Sequence, residues 1–147
     1  MGLFDKNVNT EENLTENQET EENAPKRIPF QTWQVGDETY RLKLDAAGIE
    51  ELEMKFKTNL LNLLGDGGSM PALKVMIDVV HRAAQKYHHG LKREAVLELY
   101  QKYIDEGHSQ LEFYLQVFMG VYRASGFFSN SMDKTMAKAQ KTGLEIL

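Results

Sequence analysis

The sequence predicts a mostly helical α+β domain. An N-terminal β-hairpin packs on a bundle of about five helices, behind a disordered acidic tail. Three observations predict it. Apolar and polar residues alternate on both sides of a Gly36-Asp37 pair. From Asp45 onward the apolar period changes from that of a strand to that of a helix. Residues 1–25 are acidic and poor in apolar side chains.

The acidic segment comes first. Asp5, Glu11, Glu12, Glu16, Glu19, Glu21 and Glu22 stand against a single Lys6, a net charge near −6 in a chain whose total is −5. After Val8 the segment's only large apolar residue is Leu14. It cannot bury enough surface to offset its ordering entropy, so residues 1–25 read as a solubilising tail or, more sharply, a partner-binding acidic arm. The remainder is near +1, with no basic surplus to hold phosphates, so nucleic acid is not an expected partner. Residues 26–128 read as one folded domain, and 129–147 as a last helix or a mobile end.

In TWQVGDETYRLKL, Trp33 and Val35 alternate with Thr32 and Gln34, and Tyr40, Leu42 and Leu44 alternate with Thr39, Arg41 and Lys43. With Gly36-Asp37 at the turn this is a hairpin with one apolar face. A lone hairpin is marginal in water and must lie on something. Asp45 caps a helix through Phe56 that turns Ile49, Leu52 and Phe56 to one face, with Glu51–Lys55 and Glu53–Lys57 as outer ion pairs. Asn59 caps the short run LLNLL, and GDGGS then breaks the chain. Ser69 opens the next helix, with Pro71 in its first turn. Its core stripe is Leu73, Met76, Ile77, Val80, Ala84 and Tyr87, its wet stripe Lys74, Asp78, His81 and Gln85, and its end Gly90. A helix from Lys92 to Asp105 buries Val96, Leu99, Tyr100 and Tyr103 and ends at Gly107. Ser109 and Glu112 form a capping box for a helix that is apolar almost all round, so it is central to the core or half of it faces a partner.

Three of the four histidines fall in one stretch, KYHHGLKREAVLELYQKYIDEGH. His88 and His89 precede Gly90, and His108 follows Gly107, where imidazoles serve helix ends. His81 lies on the wet stripe. No pair has the His-x-x-x-His spacing of a zinc helix, so neither a metal nor another cofactor is expected. The chain has no cysteine, which removes thiol nucleophiles, disulfides and thiolate metal sites. No serine sits in GxSxG, and GDGGS lacks the Lys-Ser/Thr of a phosphate loop. The paired carboxylates Glu50-Glu51 and Asp105-Glu106 sit on wet faces. Catalysis is therefore not expected. Nor is a membrane partner: no apolar run can span a bilayer and the N-terminus lacks a signal-peptide core. Met-Gly opens the chain, but Lys6 stands where myristoylation needs Ser or Thr.

What remains is a surplus of Met, Phe and Tyr, side chains that build cores and adaptable binding surfaces alike. Phe127, Phe128, Met132 and Met136, together with Phe113, are the candidate partner-binding residues.

Several segments resemble one family. WQVGDETYRLKL, GIEELEMKFKTNLLNLL, MPALKVMIDVVHRAAQKYHHGL and YQKYIDEGHSQLEFYLQVFMGVYRASGFF are similar to the tail assembly chaperones of long-tailed phages and prophages of Gram-positive bacteria. The likeness runs from Gln31 to Phe128 and leaves out the acidic segment. It implies a small helical protein of the host cytoplasm that coats the tape measure protein, keeps it soluble and helps recruit the major tail tube protein. Self-association through the hairpin edge is a further expectation. The alternatives are a structural tail or head-completion protein retained in the virion, and a small DNA-binding regulator whose second helix across EGHS would read bases.

Overall fold

A computed structural model describes residues 28–64 and 69–128; the acidic segment 1–25, most of GDGGS, and residues 129–147 with Met132 and Met136 lie outside them. The described fold is mostly helical α+β, a two-stranded antiparallel hairpin and four helices.

Strands β1 (Gln31–Val35) and β2 (Glu38–Leu42) pair with Trp33 opposite Tyr40. Gly36 takes a φ of 61°, the left-handed value a tight hairpin turn demands at its first central residue. The turn is fixed from outside as well: the Gly36 N–H donates to both Glu106 carboxylate oxygens at 3.0 and 2.9 Å. The alternation of the sequence holds, with Trp33, Val35 and Leu42 buried beneath the sheet.

Helix α1 (Ala46–Phe56) starts where Asp45 accepts the Gly48 N–H at 2.8 Å. That bond, the largest influence on it, holds the Asp45 carboxyl below its ordinary value. A 3₁₀ turn (Leu60–Leu64) follows, capped by Asn59, whose side chain accepts from the Asn62 N–H. The expected ion pairs along α1 give way to contacts across helices: Glu51 receives Arg82 at 2.8 Å, Lys55 reaches Asp78 at 3.2 Å, and Glu53 accepts the Leu60 N–H at 2.9 Å.

Helix α2 (Leu73–Gln85) begins later than Ser69 and ends before Gly90. Pro71 disfavours helical backbone at Met70, and Ala72 is still extended at ψ 148°, so the first turn waits for Leu73. Asp78, expected on a wet stripe, is buried at 3% exposure. Arg93 at 2.6 Å, Lys74 at 3.1 Å and Lys55 converge on it from two other helices and the same helix's first turn. Burial pushes the Asp78 carboxyl up, but the hydrogen bonds from Arg93, Lys74 and Lys55 together outweigh it and leave it below the ordinary value. The residue is a clasp joining α1, α2 and α3 (Arg93–Asp105).

The last element, α4, is one continuous helix in three parts: Gln110–Glu112, a π-helical segment Phe113–Phe118, and Met119–Ala124. Ser109 caps it by accepting the Glu112 N–H at 3.0 Å. The wide π turns rotate successive side chains off the α-helical register. Phe113, Val117, Phe118, Val121 and Tyr122 are thereby all buried, and α4 is central to the core. Tyr122 and Tyr114 donate to the Leu60 and Leu64 carbonyls, each at 2.6 Å, and so fasten the 3₁₀ turn to α4. No helix among the described residues is long and apolar enough to cross a membrane.

Candidate functional site

The hairpin has two outer edges, and the fold treats them differently. With a two-residue turn, Val35–Glu38, Trp33–Tyr40 and Gln31–Leu42 are the hydrogen-bonded pairs. The main-chain groups of Thr32 and Gln34 therefore point away from β2, and those of Thr39 and Arg41 away from β1. On the β2 side α2 and its C-terminal turn receive the donors away from the turn: Arg41 N–H donates to His88 Nε2 at 3.1 Å, and Lys43 N–H, next along that edge, to the Ala83 carbonyl at 3.1 Å, while the outward groups of Thr39 stay exposed beside the turn.

On the β1 side only one outward group is engaged among the described residues. The Gln31 side-chain amide donates to the Thr32 carbonyl at 2.8 Å. It can do so because Gly120 has no side chain: a Cβ there would collide with the Gln31 amide. Beside this edge runs a groove of about 380 Å³. Gln31, Thr32 and Gln34 form one wall. The end of α3 supplies Tyr103, Glu106 and His108, and the π segment of α4 supplies Gln116 and Val117.

Trp33 also lines the groove, at 2% exposure, over a cluster of rings. Phe113 and Tyr103 meet it edge-on at 5.4 and 6.0 Å. Its indole N–H has no hydrogen-bond partner among the described residues. A buried donor left unpaired costs about 1–3 kcal/mol. The neighbouring wall is rigid: His108 stacks on Tyr103 at 4.0 Å and bonds Glu112 through Nδ1 at 2.6 Å. Burial, then the Glu112 charge, push the Tyr103 phenol up, so it stays a hydrogen-bond donor.

The expected partner residues are not gathered here. Phe113 is fully buried and packs on Trp33 and Tyr100, so it cannot meet a partner unless the core opens. That corrects its place among surface candidates: the wholly apolar helix is core on this side. Phe127 and Phe128 are half-buried and pack on the core, Phe127 against Tyr122 at 4.8 Å. The large apolar side chains that are exposed among the described residues are Met54, Leu61 and Leu97. Three of the four histidines act as tethers: His88 and His108 as above, His81 through a 2.9 Å contact of Nε2 with the Leu91 carbonyl. No group of three potential metal ligands occurs among the described residues. Helix α4, which would be the base-reading helix of a regulator, is largely interior and offers no row of exposed polar side chains.

A hairpin laid on four helices, with one strand edge opening into a groove, defines a small α+β domain. The chain belongs to the family of unknown function DUF6096, which matches residues 26–146 and leaves the acidic segment outside. No curated protein and no solved structure matches it.

Proposed function

We propose that this protein is a non-enzymatic chaperone of phage tail assembly. It binds the tape measure protein in the host cytoplasm, keeps it soluble and helps recruit tail tube subunits. The observation that carries a binding role is the open edge of β1 beside a groove lined by both apolar and hydrogen-bonding side chains, a surface of the kind that takes up polypeptide. The partner comes from the resemblance of residues 31–128 to tail assembly chaperones. A long, amphipathic tape measure chain needs many weak contacts along its length, and repeated binding of a small domain gains from avidity. The acidic segment supplies charge to a coat that must stay dispersed.

The test is co-expression with the tape measure protein of the same genome, followed by a solubility and pull-down assay. A soluble, co-purifying tape measure protein supports the reading. A tape measure that stays insoluble and unbound overturns it, and detection of this chain in purified particles would favour a structural protein retained in the virion.

A further inference from the structure

We propose that the groove beside β1 binds an extended segment of a partner polypeptide, which pairs with the open edge of β1 as a third strand. The idea deepens the binding role above and rests on it only for the parent of the segment. The unpaired groups favour an extended occupant. The outward N–H groups of Thr32 and Gln34 and the Gln34 carbonyl call for main-chain partners in a row. A docked helix satisfies its own backbone internally and would leave them unpaired. The other edge offers no such row, because His88 and Ala83 already hold the donors of Arg41 and Lys43.

The groove also selects among strands. One face of an added strand would lie over Tyr103 and Val117, so alternate residues should be apolar. Trp33 lies beneath this face, where its ring senses an occupant of the groove. The Gln31 amide acts as a stand-in on the Thr32 carbonyl and must swing away when the strand seats. The turn end is closed, since both Glu106 oxygens are committed to the Gly36 N–H. The site is thus as long as β1, about 17 Å for five residues.

Short linear peptides selected from a random displayed library against the full chain provide the probe, and fluorescence of Trp33, the only tryptophan, reports their binding. Gln34→Pro removes one outward N–H without touching the bonds to β2 and should weaken binding by about ten-fold or more. Gln116→Phe fills the groove from the opposite wall and should abolish it. In the wild-type complex the Thr32 and Gln34 amides should exchange more slowly with deuterated solvent. Failure to select any peptide, unchanged affinity in both folded variants, or unprotected Thr32 and Gln34 amides would overturn the proposal. So would self-association of the free protein that Gln34→Pro abolishes, which would give the edge to a second copy. The chaperone reading fails separately, if the wild-type chain does not co-purify with the tape measure protein while selected peptides still bind.

Discussion

The two sides of the hairpin meet the rest of the molecule under opposite rules. On the β2 side, the outward donors away from the turn are matched. Arg41 and Lys43 N–H groups find acceptors on α2 and its C-terminal turn, and α2's own buried charge, Asp78, holds three cations. On the β1 side an edge and a groove coincide, and among the described residues only the Thr32 carbonyl is engaged, by the Gln31 amide. The difference separates a side tied into the fold from a side whose outward donors stay unpaired among the described residues.

Removing the clasp should break the first side most severely. Asp78→Ala removes the shared acceptor of Arg93, Lys74 and Lys55, whose charged ends can return to water, and should cost about 2 kcal/mol in a urea titration. A smaller effect follows from acid. The folded carboxyl lies below its unfolded value of 3.8, so its contribution is present above that pH and is lost as pH falls toward the folded value. Thermal melts between pH 5 and about 2.5 should show that loss, and Asp78→Asn should lack it. His88→Ala makes the β2 edge resemble the β1 edge by withdrawing the acceptor from Arg41; chemical denaturation should record about 1 kcal/mol. The smallest change in stability belongs to the open side. Gln34→Pro should shift unfolding by no more than about 0.5 kcal/mol, even as it weakens peptide binding. A large loss there would mean that β1 is structural after all and would erase the contrast.

Much of the cohesive side was legible in the sequence. The Trp33–Leu44 alternation gave the hairpin, because the strand period of two is unmistakable around Gly36-Asp37. Asp45 and Ser109 gave two helix starts through their caps. Asp78 was misread because a charge at a helical spacing of exposed positions looks solvated, and its three partners lie mostly on other helices. Phe113 was misread in the opposite sense: an aromatic surplus suggests a surface, yet the π turns give a single helix more interior positions than its period allows. The groove could not be foreseen, since it joins residues from β1, α3 and α4. The one available signal was the edge itself, a two-stranded sheet having an outer side to each strand.

One feature of the packing bears on how the chain is made. The Leu44 N–H donates to Ser125 Oγ, a partner 81 residues further along, and Gln31 rests on Gly120. The hairpin is the first described element to leave the ribosome, and its seat is the last. A hairpin that is marginal by itself must therefore wait until α4 has been translated, and closing so long a loop carries an entropic toll that local helix pairs avoid. During synthesis both of its edges stand open, and only the arrival of the C-terminal half decides which one stays that way.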